Sequence, residues 1–554
     1  MNLNEFNSLT DLFFYQAEKQ ISESIFLEWL NPKNKKIFTW SETSSNIYKF
    51  AKILKAYVRE DDRCLLVSEN RPEWLISDIA IMLANAITVP AYTTYTANDY
   101  KYLIEDCEPS IIIVSNNEMH KKLQKIIEEK SFIKKVITFE KIDGVDYENK
   151  YIDFNSIIKT DLLENDKIKN LNLKRSSPAC IIYTSGTGGN PKGVILSHGG
   201  ILNNCEGAYE IVKPLIDKRP VFLTWLPLSH SYEHTIQFVQ IAVGAKVFYA
   251  EKIEKLLDNI SEAKPTLMTA VPRFYQNLYN KIYMNMKKQT GLKAKLIKAT
   301  ISLGKKELLK QKMTISEKFL NLIVNALVRK KVKKQFGGNL KAFVSGGGAL
   351  DKEIGEFLNA IGLPTLQGYG LTETSPVVSC NPIHKIKVET VGPPFKGNQV
   401  KIAEDGEILV KGENVMLGYW NNKEETDNVI RNEWLLTGDI GKMDSNGYFY
   451  IIDRKKDMIK VAGFNVYPRD IEDILYEHES VMEAAVVGMK NEDLTEFIKA
   501  FVVLKEGKNA NEKELIDFCR TKLTGYKIPK AIEFRKELPK SLIGKILRKS
   551  LKNS

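Results

Sequence analysis

The sequence predicts an α/β protein with a large N-terminal domain of βαβ-type sheets over roughly 1–455, a β-rich subdomain near its end, and a small α+β C-terminal domain over 456–554. Three observations predict this. Between residues 40 and 180, short β-branched runs alternate with a helix-periodic stretch, the rhythm of parallel strands joined by helical crossovers. From about 390 the strands shorten and carry Asp-Gly and Asn-Gly turns, which are hairpin signals. The 554 residues correspond to three or four packing units at about 150 residues each.

In chain order, CLLVSE (64–69) and IIIVS (111–115) read as strands flanking a helix over 73–85. AVGAKVFYAE (242–251), LMTAVP (267–272) and AFVSGG (342–347) continue the series. Residues 282–337 are rich in Lys, Leu and Ile and contain no proline, which reads as a helical insertion. EDGEILVKG (404–412) and MDSNGYFYIID (443–453) read as hairpins, and a small α+β unit follows Lys456. No internal repeat or low-complexity linker interrupts this order.

Hydrophobic residues at 43% and charged residues at 27% exclude a disordered or collagen-like chain. A core of this size needs no disulfide or metal to fold. Cys64, Cys107, Cys180, Cys205, Cys380 and Cys519 form no CxxC pair, too sparse for a disulfide framework or zinc ribbon and suited to a reducing compartment. The N-terminus has no basic head before an apolar run, so it does not read as a secretory signal. The longest apolar stretch, Trp74 to Val89, carries Asp78 and Asn85 and is shorter than the ~20 residues of a bilayer span. A cytoplasmic protein is expected.

The net charge of +11 is uneven. Residues 281–338 hold sixteen Lys/Arg against Glu307 and Glu317, a net +14, so the remainder sums to −3. Most such runs are solvated helical faces. The single sign in Leu- and Ile-rich helical sequence also suits reversible contact with an anionic membrane, on its inner face. No nucleic-acid recognition motif accompanies the charge, so a nucleic-acid partner is not expected.

The segment IIYTSGTGGNPKGVILSH (181–198) carries the strongest chemical signal. An apolar strand runs into Thr184, Ser185, Gly186, Thr187, Gly188, Gly189, Asn190, Pro191, Lys192 and Gly193, of which seven are Gly, Ser or Thr. Glycines let backbone N–H groups approach phosphate oxygens, hydroxyls donate, and one lysine supplies charge. It is not a Walker A loop, because Lys192 lies between Pro191 and Gly193. The competing reading is a surface turn.

This segment resembles the phosphate loop of the adenylate-forming superfamily of acyl-CoA synthetases, luciferases and peptide-synthetase adenylation domains. LPLSHSYEHT (226–235), VSGGGAL (344–350), QGYGLTET (367–374), LLTGD (435–439), DRKKDMIKVAGFNVYP (453–468) and LPKSLIGKIL (538–547) resemble its other motifs in order, over nearly the whole chain. The resemblance implies the adenylate-forming enzyme fold, with a C-terminal domain that swings over the nucleotide site.

It also implies roles. Thr184, Ser185, Gly186, Thr187, Gly188 and Lys192 would hold ATP phosphates. Gly347 and Gly348 would line the adenine, beside Gln367 and Gly368. Tyr369 offers an aromatic face and Thr372 a hydroxyl. Glu373 is a hard oxygen ligand for Mg²⁺, with Thr187 as co-ligand; alone, this motif also suits a tight turn with a solvated acid. Asp439 would accept both ribose hydroxyls, backed by Arg454, although a lone acid after Thr-Gly is usually a turn or cap. Lys545 in the tail would bridge carboxylate and α-phosphate, and Lys460 with Gly463 would replace it in the second half-reaction. Many relatives have Thr where this chain has Ile543.

His230-Ser-Tyr-Glu233-His234 matches the H-x-x-E-H pattern of inverted zinc peptidases. Zinc is chemically open to two histidines four apart on a helix. The segment also coincides with the family's gate, where His230 would be a wall of the site.

SENRPEWLISDIAI (68–81), KPTLMTAVPRFYQNLYNKIY (264–283) and the basic helical insertion resemble the long-chain acyl-CoA synthetase branch. The expected reaction activates a fatty acid with MgATP to acyl-AMP and transfers the acyl group to coenzyme A. A ligase loading a carrier protein or another thiol, and a zinc hydrolase using His230 and His234, are the alternatives. The sequence leaves a homo-oligomer open.

Overall fold

The computed structural model describes residues 2–167, 172–184, 190–216, 219–461, 464–490, 496–540 and 546–552. Two eight-stranded sheets dominate. One runs, from edge to edge, Val377–Cys380, Thr365–Gly370, Ala342–Ser345, Leu267–Ala270, Val221–Thr224, Lys246–Tyr249, Ile25–Trp29 and Lys36–Thr39. The other runs Gly418–Tyr419, Lys192–Ser197, Pro178–Thr184, Ile87–Ala91, Arg63–Val67, Ile111–Val114, Lys135–Thr138 and Tyr151–Asp153. Their centres are parallel, as the strand–helix alternation predicts, and antiparallel strands close three of the four edges, the fourth, Tyr151–Asp153, pairing parallel.

Alternation along the strands sorts side chains into layers. Cys64 and Leu66 point into the largest core cluster, while Leu65 and Val67 point into another. The largest cluster takes residues from both sheets and from the helices Pro72–Leu83 and Ser231–Ala242, every residue of which is buried. These two helices are therefore sandwiched between the sheets. Their polar residues are paired inside the core, Glu73 with Arg71 and Asp78 with His234, as buried charges must be.

The two hairpin signals after 390 are met in a third, five-stranded sheet. Gln399–Ile402 pairs with Glu407–Lys411 across a turn in which Gly406 takes φ +85°. Trp434–Met443 pairs with Phe449–Arg454 across one in which Gly447 takes φ +78°. Left-handed backbone at these positions favours glycine. Beyond Lys456 lie a short hairpin, Ile459–Val461 with Phe464–Val466, and a three-stranded sheet, Val481–Lys490, Glu496–Leu504 and Ala531–Phe534, with its own core.

The 282–337 stretch is helical, as predicted: Pro272–Lys287, Gly291–Leu308, Ile315–Val324, a π-turn Asn325–Arg329 and Lys330–Gln335. All six cysteines are buried and unpaired with one another. Among the described residues no helix is long and apolar enough to cross a membrane.

Candidate functional site

The strand Pro178–Thr184 delivers Thr184 to its end, directly opposite Lys192 on the returning antiparallel strand. Ser185, Gly186, Thr187 and Gly188 lie outside the described residues. The Lys192 ammonium pairs with Glu425 and sits 5.0 Å from the centre of the Tyr419 ring. The Tyr419 hydroxyl donates to Glu373 Oε1 at 2.9 Å. Lys192 and Glu373, 181 residues apart in sequence, are thus joined through one aromatic side chain.

Glu373 lies in the 3₁₀ turn Thr372–Thr374 that follows the strand Thr365–Gly370. Thr372 Oγ1 is 3.1 Å from the hydroxyl of Ser231. Ser231 begins the helix Ser231–Ala242, which His230 caps by accepting the Tyr232 N–H at Nδ1, 3.1 Å away. Asn70 fixes the approach to this helix, donating to the Leu226 carbonyl at 2.6 Å and accepting from the Leu228 N–H at 3.1 Å. His230 also lines a narrow cavity with Leu226, Tyr232, Glu233, Val271 and Gly347.

At the end of the same strand, Tyr369 donates to Asp439 Oδ2 at 2.7 Å. Asp439 Oδ1 lies 2.8 Å from Arg454 Nε. Burial opposes the Arg454 charge, but Asp439, Tyr369 and Glu373 around it outweigh that and hold its pKa above the ordinary value. Burial, and then Asp439, push the Tyr369 phenol well above its own. The Asp439 and Glu373 carboxylates therefore act on one guanidinium, and the motifs around 369, 373, 439 and 454 form a single cluster.

Other predicted residues have different surroundings. Gln367 is buried, its Oε1 accepting from Leu350 N–H at 2.7 Å and its Nε2 donating to the Val388 and Thr390 carbonyls at 3.1 Å each. Its amide is a latch between loops, which corrects the expectation of a nucleotide contact through this side chain. A Cβ on Gly368 would stand 3.1 Å from the Ser379 carbonyl, and one on Gly348 3.3 Å from Pro272. Gly347 takes φ +77° at the turn leaving Ala342–Ser345. Lys460 is exposed in the C-terminal hairpin, with its backbone N–H donating to Glu496 at 2.7 Å. Gly463 and Lys545 lie outside the described residues. Arg548, just beyond them, holds Glu472 at 2.7 Å and Asp457 at 3.2 Å.

The zinc reading is corrected by the partners of its residues. His234 Nε2 is 2.8 Å from Asp78 Oδ2, both fully buried, and the ring meets Trp74 edge-on. Glu233 Oε2 accepts from Thr269 at 2.7 Å. His230 is the cap of this helix, with extended backbone and its Nδ1 taken by the Tyr232 N–H, so its ring does not continue the helix face of His234. The pattern arises because a cap and a buried ion pair happen to fall four residues apart.

Tyr419, Glu425, Ser231 and Asn70 were not legible as site residues. The GYW triplet at 418–420 is an aromatic pair ahead of an acidic helix, but nothing in the sequence spans its distance to Glu373.

The family model described as AMP-binding enzyme matches residues 13–420, and that described as AMP-binding enzyme C-terminal domain matches 470–545. The chain is 32% identical over 552 residues to a long-chain-fatty-acid–CoA ligase of Bacillus subtilis (strain 168), covering 93% of this chain and 90% of that one. It is 30% identical over 589 residues to a protein of the same name from Escherichia coli O157:H7, covering 100% and 95%. Among solved structures, ATP-bound MatB from Rhodopseudomonas palustris superposes with a TM-score of 0.79 at 24% identity over 99% of both chains. The anthranilate CoA ligase AuaEII with anthranoyl-AMP superposes with a TM-score of 0.79 at 23% identity, over 100% of this chain and 98% of that one.

Proposed function

The chain belongs to the AMP-binding enzyme family, and we propose that within it the protein is a long-chain fatty acid–CoA ligase. Its fold is that of the adenylate-forming enzymes. The fatty-acid carboxylate attacks the α-phosphate of ATP, giving acyl-AMP and pyrophosphate. The thiol of coenzyme A then attacks the acyl carbonyl, and AMP leaves.

The observation that carries the adenylating half is the cluster of Tyr369, Asp439 and Arg454 beside Glu373. Each Asp439 oxygen has two lone pairs, so accepting from Tyr369 and Arg454 leaves acceptor capacity for a ribose diol. Arg454 pairs with that carboxylate and orients it. The half-buried Glu373 carboxylate, held by Tyr419, is the hard oxygen donor that suits Mg²⁺ arriving with ATP. Bound there, Mg²⁺ would neutralise phosphate charge.

Two anions must meet in the first step, so the barrier is electrostatic. Lys192, Thr184 and the glycine-rich loop supply donors to the phosphates, with Lys192 handed from Glu425 to the nucleotide. Lys545 brings a second positive charge to the α-phosphate and carboxylate. The unit beyond Lys456 then turns and presents Lys460 for thioester formation.

The long acyl chain is supported by the two relatives named for that substrate and by the helical insertion at 281–338. Such substrates partition into bilayers, so reversible contact with an anionic membrane belongs to the same reading. The test is ATP–pyrophosphate exchange across fatty acids from short to very long, followed by thioester formation with coenzyme A and with acyl-carrier protein as competing acceptors. Exchange confined to short or aromatic acids would overturn the acyl assignment, and preference for the carrier protein would overturn the acceptor.

A further inference from the structure

The helix Ala97–Cys107 lies outside every nucleotide motif of the sequence, yet three segments of the nucleotide site converge on it. Tyr102 and Asp106, four residues apart, share one face of the helix. The Tyr102 hydroxyl donates to the Pro191 carbonyl at 3.0 Å. The Asp106 carboxylate accepts from the Tyr183 hydroxyl. The Asp106 carbonyl accepts from Trp420 Nε1 at 3.0 Å and from Asn421 Nδ2 at 3.1 Å.

Tyr183 immediately precedes Thr184, and Pro191 immediately precedes Lys192. Thr184 and Lys192 are the last pair of their antiparallel ladder. Asp106 therefore grips the outgoing strand one residue inside that pair, and Tyr102 grips the returning chain one residue beyond it. Gly193, the partner of Tyr183, is crowded from both sides: an added Cβ would stand 3.1 Å from the Tyr183 ring and 3.1 Å from Trp420. The Trp420 N–H donates to the Gly193 carbonyl at 2.7 Å. Trp420 follows Tyr419, the side chain that joins Lys192 to Glu373. One helix face thus touches both ends of the glycine-rich loop and the segment that carries Tyr419.

The helix is seated without these contacts. Tyr100, Leu103, Ile104 and Cys107 form its buried face, and Thr96 with Asp99 forms a capping box at its start. At its end Arg63 donates to the Cys107 carbonyl at 2.7 Å and to the Glu108 carbonyl at 3.2 Å. The Tyr102 hydroxyl and the Asp106 carboxylate are left to act on the loop. Burial, then Cys107 and Asp106, push the Tyr183 phenol above its ordinary value, so it stays a donor.

We propose that Tyr102 and Asp106 are positioning residues for ATP, pinning both ends of the glycine-rich loop so that Thr184, Lys192 and the loop between them meet the β- and γ-phosphates with their spacing already set. The proposal rests on the phosphate role of that loop given above and needs no particular acid substrate. A stem held in advance has less to order when the phosphates arrive. AMP lacks those two phosphates, so the clamp acts on ATP and not on AMP.

The experiment is equilibrium binding of MgATP and of AMP to the full chain by titration calorimetry, with no acid and no coenzyme A present. Tyr102→Phe removes one hydroxyl and Asp106→Ala one carboxylate. Each should weaken ATP binding about three- to tenfold and leave AMP binding unchanged. Asp106→Asn keeps an acceptor for Tyr183 and should recover part of the loss. Tyr100→Phe is the matched control, because that hydroxyl donates to the Tyr92 carbonyl at 2.7 Å from the buried face of the same helix. It should leave both ligands unchanged, whatever it does to the thermal midpoint. Unchanged ATP binding in Tyr102→Phe and Asp106→Ala overturns the proposal. So does equal weakening of ATP and AMP, or an ATP loss in Tyr100→Phe that matches Tyr102→Phe, since the contacts would then only hold the fold. A wild type that binds no ATP would instead overturn the adenylating reading, and this proposal with it.

Discussion

Asp439 and Arg454 face each other in register across the hairpin Trp434–Met443/Phe449–Arg454, with Nε 2.8 Å from Oδ1, and Tyr369 closes the other carboxylate oxygen. One strand pairing therefore sets the direction of this carboxylate and gives it a cationic partner. A ribose bound there would find an acceptor already held in place through both of its oxygens.

Removing that acceptor should weaken ATP use. Hydrogen bonds to a charged group are worth about 1.5–3 kcal/mol, so Asp439→Ala should lose about ten- to hundred-fold in kcat/KM for ATP. Asp439→Asn keeps the shape and should retain more of the activity. Steady-state kinetics varied in ATP check this, and unchanged ATP kinetics in a folded Ala variant would reduce Asp439 to a turn residue.

Glu373 should set the magnesium requirement. Glu373→Gln keeps volume and removes the charge that suits a hard cation. The maximal rate should fall and the magnesium midpoint rise. Tyr419→Phe, which removes the 2.9 Å bond to the same carboxylate, should move both in the same direction by a smaller amount. Identical magnesium titrations for Glu373→Gln and wild type would count against the assignment.

Much of this was legible in the sequence because strand ends and turns leave local signatures. The Asp405-Gly406 and Asn446-Gly447 turns marked both hairpins of the five-stranded sheet, and the periodic 73–85 stretch marked a helix, although its burial on every side follows only from its place between two sheets. The association of Asp439 with Arg454 came from the resemblance, and the register explains it. What stayed hidden depends on pairings between distant segments. Tyr419 reaches Glu373 because Gly418–Tyr419 adds to the edge of the sheet that carries Lys192. Gln367 looked like a ligand because its motif is a nucleotide motif, but its amide is used up by backbone groups from two other loops. His230 and His234 looked like a metal pair because four-residue spacing implies a shared helix face, but His230 caps the helix with extended backbone and its Nδ1 is taken by the Tyr232 N–H.

Lys545 should matter for adenylation and little for thioester formation. Its charge at the α-phosphate is needed only while two anions approach each other. Lys545→Ala should abolish acyl-AMP formation from fatty acid and ATP, yet still convert supplied acyl-AMP and coenzyme A to acyl-CoA. Single-turnover assays of each half check this. Equal loss in both halves of a folded variant would sink the alternation of Lys545 with Lys460.

Glu233 and His234, adjacent in the buried helix, should make the fold less stable as pH rises. Burial pushes the Glu233 carboxyl up to about 8 from an ordinary value of 4.5. Burial opposes the His234 charge, but the Asp78 carboxylate 2.8 Å away outweighs it and takes the imidazolium up to about 10 from 6.5. In both cases the folded state holds a proton that the unfolded chain has released. Stability therefore falls with pH between 4.5 and about 8 for Glu233, and between 6.5 and about 10 for His234. Each group alone contributes a slope of at most about 1.4 kcal/mol per pH unit. Glu233→Gln keeps a carbonyl acceptor for Thr269, which donates to Glu233 at 2.7 Å, and carries no titration. Its urea midpoint should therefore fall less than wild type from pH ~5.5 to ~8 and run parallel to it from ~8 to ~9.5, where His234 still contributes. Parallel wild-type and Glu233→Gln profiles over the whole range would mean that Glu233 is ionised in the folded protein at neutral pH.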